Sequence, residues 1–253
     1  MSWILKNNAD GEVIAVMNPP KTATKSVHRW ISRWVHYPHY LDPENNTWER
    51  HAIRKAYNDI LLKGGNHVHG DVESWHISHG DREYIHTVMT TEIDEYDPFN
   101  ATIYCVVRNP WERLASAYRY YEERIFTDDP QQSPTFPWNA LKTYNNFSEF
   151  LNDSAGANYV LKPQTDFYDL SQDIILRHEQ LDSDFSGIKN KTGVDVPLPH
   201  INTYDSAAWT GSAKWEEWMY LYDSATVQLV ATRYSQEISD FGYTWPGDQS
   251  LLG

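Results

Sequence analysis

The sequence predicts an α/β fold of three layers, in which helices cover both faces of a central parallel sheet. Three apolar runs predict strands, over Val13–Met17, Ala101–Val107 and Asp173–Arg177, and helical patterns follow them. Runs that are apolar at nearly every position are typical of parallel strands buried on both faces. The chain of 253 residues is long enough for such a core, and we expect a single domain over residues 1–253.

The loop after the first predicted strand is suited to binding an anion. Pro19 and Pro20 end the strand, and the segment from Lys21 to Ser26, KTATKS, leads into apolar residues whose spacing predicts a helix. The positive end of a helix dipole carries about half a charge, and Lys21 adds a full one. The G-x-x-x-x-G-K-[ST] pattern of a nucleoside-triphosphate P-loop is absent, and an ordinary turn between strand and helix is the alternative.

The chain between the first two predicted strands contains a helix, a histidine pair and a short strand. His67 and His69 share one face of an extended segment, but no acidic or cysteine residue lies at a recognised metal-site spacing, so we expect no metal. The other predicted elements are a helix over residues 48–62, a polar loop up to Gly80, a short strand over Tyr84–Met89 and a helical turn over residues 90–96.

A second strand, loop and helix follow, and this loop carries a cation. Arg108 directly follows the predicted strand, and Pro110 suits the first position of the helix. Ser116 lies two turns into that helix, where it can face the same side as Arg108. A guanidinium fork and a hydroxyl can hold a phosphate, and ligands of open parallel sheets bind at the carboxyl ends of strands. The alternative is a surface ion pair between Arg108 and Glu112 or Glu122.

The rest of the chain is predicted to be mostly helical. Apolar spacing predicts helices over Phe147–Leu151, over Glu179–Lys191 with a stop at Gly193, and over Lys214–Phe241. We expect Asp223 to cap the second half of the last region and Gly242 to end it.

Composition excludes several classes of protein. The formal net charge of −14 argues against a general nucleic-acid binder, because such proteins present a basic surface to the phosphate backbone. The single cysteine, Cys105, excludes an internal disulfide, and we expect it to be buried in a strand. No apolar stretch approaches the roughly 20 residues of a membrane span, and residues 1–10 do not resemble a signal peptide. We therefore expect a cytoplasmic protein with no membrane partner.

Two motifs resemble a known family. Residues 20–26, PKTATKS, are similar to the P-K-T-G-T-T-S loop that binds the 5′-phosphosulfate in sulfotransferases that use 3′-phosphoadenosine 5′-phosphosulfate (PAPS). Residues 107–118, VRNPWERLASAY, match that family's 3′-phosphate motif, V-R-N-P-x-x-R-L-x-S-x-Y, at every defined position. Residues 176–185, 198–202 and 238–243 resemble later landmarks of the carbohydrate, or Golgi-type, sulfotransferases. The family fold, a P-loop-like α/β sandwich around a parallel sheet, agrees with the predicted elements.

The resemblance implies a PAPS site made of both loops. Lys21 would bind the bridging region of the phosphosulfate and assist the departing phosphate, while Arg108 and Ser116 would bind the 3′-phosphate. The other implied donors are Thr22, Ala23, Thr24, Lys25 and Ser26. Ala23 replaces the usual glycine, which requires a negative φ at that residue. Lys25 replaces a threonine, as in the similar loop of the heparan 3-O-sulfotransferases, and we interpret it as an added phosphate contact.

A histidine is the expected base for the transfer that this resemblance implies. Sulfuryl transfer to a hydroxyl requires in-line attack and a base for the acceptor's proton, and an unperturbed histidine pKa of about 6.5 suits that task. His86 ends the predicted strand before the Arg108 strand, a placement that resembles the base of the uronosyl 2-O- and cytosolic sulfotransferases. His69 is the second candidate and His67 the third. The alternative for each is a histidine that is hydrogen-bonded at a sheet edge or in a loop.

The resemblance as a whole implies a PAPS-dependent sulfotransferase acting on a hydroxyl, with a glycan as the expected acceptor. A non-catalytic relative that binds PAPS or 3′-phosphoadenosine 5′-phosphate (PAP) is the alternative, and Ala23 supports it. A P-loop kinase would need a Gly-rich loop and an acidic strand end for Mg²⁺, and neither is found. The sequence predicts no oligomeric state.

Overall fold

The computed structural model describes residues 2–7, 11–20, 22, 26–27, 30–31, 67–69, 72–77, 82–93, 96–97, 100–126, 144–153, 159–192, 198 and 215–252. The chain divides into two compact units, Met1–Val107 with Gln164–Ser206 and Arg108–Pro163 with Ala207–Gly253. A single domain over residues 1–253 stays a prediction. The predicted helix over residues 48–62 lies outside the described residues.

The first unit is built on a six-stranded sheet. Its strands are β1 Ser2–Asn7, β2 Val13–Met17, β3 His67–His69, β4 Val72–Ile77, β5 Ala101–Val107 and β6 Ile174–Arg177. Their order across the sheet is β3-β4-β1-β2-β5-β6. Strands β2, β5 and β6 are parallel, whereas β1 is antiparallel to β2 and β4, and β3 to β4. The predicted α/β class is confirmed, but the sheet is mixed where an all-parallel one was expected.

Both faces of the central strands are buried. On one face, strand residues such as Val16 and Tyr104 form a core cluster with Val27, Trp30 and Ile31, which follow the first loop. On the opposite face, five side chains are at most 1% exposed: Ile4, Ala15, Met17, Cys105 and Val107. Cys105 is thus buried in a strand, as predicted. Burial on both faces explains why β2 and β5 are near-continuous apolar runs.

The segment predicted as a strand over Tyr84–Met89 is instead a helix, α1, which spans Arg82–Glu92. Ile85, Met89 and Ile93 are buried and follow one another at intervals of four residues, the spacing of one helix face. Within a window of six residues, a helical and a strand pattern of apolar residues cannot be distinguished. The predicted strand is therefore wrong, and His86 does not end a strand.

Strands β1 and β4 lie where no strand is predicted. The two pair antiparallel along their whole length, from Ser2 opposite Ile77 to Asn7 opposite Val72. The β4 sequence, VESWHI, is half polar and was predicted as part of a loop. Its strand conformation is stabilised by backbone hydrogen bonds to β1, a long-range pairing that local sequence does not encode.

The helices after α1 are α2 Pro110–Phe126, α3 Phe147–Leu151, α4 Leu181–Asp184, α5 Ser186–Thr192, α6 Ser224–Arg233 and α7 Ser235–Phe241. The start of α2 and both ends of α3 are as predicted. The helix predicted over residues 179–191 is divided into a 3₁₀ turn, His178–Gln180, followed by α4 and α5. The region predicted over residues 214–241 is likewise a 3₁₀ helix, Trp215–Leu221, followed by α6 and α7.

The predicted caps of the last helices are present. Asp223 accepts the Thr226 N–H at 2.8 Å, and the Thr226 hydroxyl oxygen accepts the Asp223 N–H at 2.9 Å, which is a capping box. Gly242 ends α7 at a φ of 63°, in the left-handed region that glycine adopts without strain. Within the ranges described, no helix combines the length and the apolar character needed to cross a bilayer.

An aromatic core organises the second unit. Its buried rings include Trp111 of α2, Phe147 of α3, Tyr222 and Trp245. The Tyr222 ring centroid lies 4.7 Å from that of Phe147 and 5.0 Å from that of Trp245, in edge-on and tilted arrangements that aromatic pairs favour. The Tyr222 hydroxyl donates to the Trp111 carbonyl at 2.7 Å, so the start of α2 is fixed to this core.

Candidate functional site

The carboxyl ends of β2, β5 and β6 lie side by side, at an edge of the sheet that we call the carboxyl edge. Met17, the last residue of β2, lies opposite Cys105 of β5. Strands β5 and β6 end in register, at Val107 and Arg177. The chain leaves these three strands into Asn18, Arg108 and His178. Both predicted phosphate loops therefore begin where ligands of open α/β sheets bind.

The loop after β2 begins with a buried, hydrogen-bonded turn. Asn18 is 1% exposed, and its N–H donates to the Ser2 hydroxyl oxygen at 3.4 Å. The Pro19 carbonyl accepts the Thr22 N–H at 3.3 Å and the Thr22 hydroxyl at 2.8 Å. These bonds close a β-turn, and proline is favoured at its second position, which Pro20 occupies. Thr22 is fully buried, and its hydroxyl shapes the loop through the bond to Pro19.

The other residues of this loop are described only in part. Ser26 is buried and helical, and Val27 beside it packs into the core, so a helix follows the loop as predicted. The remaining predicted phosphosulfate ligands lie outside the described residues: Lys21, Ala23, Thr24 and Lys25. Their roles stay predictions.

The second predicted phosphate loop is a capped helix start. The Asn109 side-chain oxygen accepts the Trp111 N–H at 3.1 Å, which makes Asn109 the N-cap of α2. Pro110 then occupies the first helical position, where its missing N–H has no helical partner to lose. The Asn109 side-chain amide also donates to the Thr244 carbonyl at 3.2 Å. Asn109 and Pro110 thus fix the backbone on either side of them, including that of Arg108.

Arg108 forms the ion pair that was the alternative to phosphate binding. Its Nη2 lies 2.6 Å from Oε1 of Glu112, one turn further along, and the two side chains are only 14% and 11% exposed. The pair is thus largely shielded from water, whereas the alternative was an ion pair at the surface. A guanidinium has five N–H donors, so one carboxylate contact is compatible with a phosphate at another edge of the group. Ser116, two turns into α2, is partly exposed.

Three other residues of this motif belong to the core of the second unit. Arg113 is fully buried and donates to the carbonyls of Val160 at 2.9 Å and Lys162 at 3.1 Å. Its guanidinium also lies 5.4 Å from the centre of the Tyr234 ring, within the range of a cation–π interaction. Leu114 and Tyr118 are buried as well. The motif therefore encodes a helix and its anchoring as well as the candidate ligands Arg108 and Ser116.

The structure places His86 on α1, at the amino end of β6. Arg82, one turn before His86, forms an ion pair with Asp173, the residue that precedes β6. Asp173 and Arg177 are four residues apart along the sheet, or about 13 Å. Burial, and then the charge of Arg82, lower the pKa of His86 from 6.5, which favours the neutral ring. His86 can accept a proton, but this environment is not the carboxyl edge.

His69 and His67 are also remote from the carboxyl edge. In the sheet register, His69 lies opposite Val72, which lies opposite Asn7 at the amino end of β2. That position is about five residues, or roughly 16 Å, from the end of β2. His67 pairs with Ser74, which is two residues closer to the carboxyl end of β2 in the register. In the sheet register, both histidines therefore lie away from the carboxyl edge.

Two histidines that were not candidates lie nearer to this edge. His76 of β4 pairs with Trp3, which pairs with Val16, next to the last residue of β2. His178 is the first residue after β6 and is partly buried. For His178, the signal in the sequence was its position directly after an apolar run. For His76, the sequence held no such signal, because β4 itself was not predicted.

Comparison with known proteins gives one match. A model of the sulfotransferase family matches residues 9–244, a range that includes both candidate loops. No curated protein and no solved structure gives a significant match.

Proposed function

Because the chain belongs to the sulfotransferase family, we propose that it transfers the sulfuryl group of PAPS to an acceptor hydroxyl. The family membership supports sulfuryl transfer in general. The observation that supports this donor is the register of β2 and β5, since two motifs similar to the 5′- and 3′-phosphate loops follow adjacent strand ends. We propose a glycan as the acceptor, on the resemblance to the Golgi-type enzymes.

We assign the donor's two phosphate groups to different loops. Lys21, Ala23, Thr24, Lys25 and Ser26 are proposed to bind the 5′-phosphosulfate. Lys21 would place positive charge beside the oxygen that departs with the phosphate, where charge develops during transfer. Arg108 and Ser116 are proposed to bind the 3′-phosphate, by a guanidinium fork and a hydroxyl. Thr22 is proposed as a residue that shapes the turn, because its hydroxyl donates to Pro19.

We propose that a histidine accepts the acceptor's proton. The placement of His86, His69 and His67 does not support them in this role, because each lies toward the amino end of the strands. His76 and His178 are better placed, since both lie close to the carboxyl edge. Replacing each in turn by Gln and recording kcat against pH would identify the base, because only that variant should lose the ionisation of the base from the profile. His86→Gln is the matched control.

The enzyme proposal is tested by incubating the protein with radiolabelled PAPS and a panel of glycans. We expect label in at least one glycan and binding of PAP. Absence of both would overturn the proposal. The alternative is a protein that binds the nucleotide without turnover, and the remoteness of the three histidines first expected as bases favours it. Normal PAP binding without sulfuryl transfer to any acceptor, whether or not the acceptor already carries sulfate, would support that alternative.

A further inference from the structure

Glu112 occupies a position that the 3′-phosphate motif leaves undefined, and its carboxylate holds the side chain of Arg108. The 2.6 Å contact between Glu112 Oε1 and Arg108 Nη2 is shielded from water on both sides of the pair. Shielding from water strengthens an ion pair relative to an exposed one. The Arg108 guanidinium is therefore held in one orientation within the protein itself.

The backbone that carries Glu112 is fixed independently of this ion pair. Asn109 caps α2, Pro110 sets its first φ angle, and the carbonyl of Asn109 accepts the Arg113 N–H at 2.9 Å. Glu112 is the third residue of α2, where the positive end of the helix dipole favours a carboxylate. A carboxylate on a rigid first turn is well suited to orient a long side chain from the preceding loop.

We propose that Glu112 is a positioning residue for binding of the nucleotide's 3′-phosphate. Its carboxylate orients the Arg108 side chain before the phosphate binds. This inference rests on the proposed function, since it takes Arg108 as the 3′-phosphate ligand. Arginine has several rotatable bonds, and ordering them on binding costs affinity. Because Nη2 is held by Glu112, part of that ordering is already in place before the phosphate arrives. Planar forks of this kind bind phosphate with strict geometry, so their orientation matters.

Two substitutions separate the positioning role of Glu112 from its charge. Glu112→Gln removes the charge but retains an oxygen that can accept from Nη2. Glu112→Ala removes both. The comparison between these variants therefore isolates the orientation of Arg108, since neither retains the negative charge that would repel a phosphate. Glu12→Ala is a matched control, because Glu12 forms an ion pair with Lys191 before the amino end of β2, far from the carboxyl edge.

The experiment measures dissociation constants by calorimetry for PAP and for adenosine 5′-phosphate, which lacks the 3′-phosphate. We expect Glu112→Ala to bind PAP about three- to tenfold more weakly than Glu112→Gln does, the loss typical of ordering one long side chain. The two variants should bind adenosine 5′-phosphate equally, and Glu12→Ala should bind both nucleotides like the wild type. Should the alanine variant fail to fold, Glu112→Asn, which is uncharged and too short to hold Nη2, should show the same loss of affinity.

Equal affinity of the alanine and glutamine variants for PAP would overturn the positioning role. An equal loss of affinity for both nucleotides in Glu112→Ala would also overturn it, because such a loss would indicate a general structural defect. Failure of the proposed function would look different. In that case the wild type itself would show no preference for PAP over adenosine 5′-phosphate.

Discussion

Arg82 on α1 and Asp173 before β6 form an ion pair in which the aspartate side chain is fully buried. The Asp173 carboxylate also accepts the Asp169 N–H at 2.7 Å, so it joins the helix to the turn that leads into the strand. Burial raises the pKa of Asp173, against the lowering effect of its hydrogen bond to Arg82. This pair fixes α1, and with it His86, at the amino end of β6.

We expect Asp173→Ala to lower the free energy of unfolding by about 2–3 kcal/mol. The substitution removes the buried carboxylate that accepts from the Asp169 N–H, and it leaves Arg82, which is 16% exposed, without its counter-charge. Urea denaturation provides the measurement. Glu12→Ala is the control, because it breaks the more exposed pair with Lys191 and should cost less than about 1 kcal/mol. Similar losses in the two variants would contradict the importance of burial here.

Stability should fall as the pH drops below about 6.5, in part because of His86. Burial and Arg82 lower the pKa of this histidine in the folded protein, while Asp173 and Asp169 oppose the shift more weakly. The unfolded chain therefore binds the proton at a higher pH than the folded one. The stabilising contribution is present above the unfolded pKa and is lost as the pH falls through the folded one. In urea denaturation between pH 7.5 and 5, we expect His86→Gln to lose less stability than the wild type. If the free energy of unfolding depends on pH identically in the two proteins, this contribution of His86 is contradicted.

The two arginines of the 3′-phosphate motif should have separable effects. Arg113→Ala leaves the Val160 and Lys162 carbonyls without their donor, and we expect it to lower the free energy of unfolding by about 3 kcal/mol or more. Arg108→Ala should instead weaken PAP binding by about 1.5–3 kcal/mol, the loss of a charged hydrogen bond. Calorimetric binding and urea denaturation of both variants test this division. A stability loss in Arg108→Ala as large as that in Arg113→Ala would refute it.

Lys21→Ala should lower turnover more than nucleotide affinity. We propose that the positive charge of Lys21 acts on the departing phosphate. Removal of one stabilising group of this kind typically lowers kcat by a factor of about 10²–10³. Lys25→Thr restores the residue of the similar family loop and serves as the control, which should bind PAPS more weakly but retain turnover. Steady-state kinetics with PAPS measures both parameters. Equal changes in kcat and in affinity for Lys21→Ala would contradict the assignment.

Local patterns predicted most of the elements around the candidate site. Strands β2 and β5 begin and end where their apolar runs do, and α2 begins at Pro110, because proline suits the first position of a helix. The error at α1 has a local cause as well, since a short window does not separate the two periodicities. Strands β1 and β4 could not be predicted this way, because each depends on the other for its backbone partners.

The sequence by itself determined the family motifs, the α/β class and the two loops that follow β2 and β5. These features depend on neighbouring residues, whose periodicity, caps and turn residues act locally. Only the tertiary structure decided which histidines approach the carboxyl edge, and that Arg113 is a core residue while Arg108 is held by Glu112. Those outcomes depend on strand register and on burial. Both are set by contacts between distant segments, which no local pattern encodes.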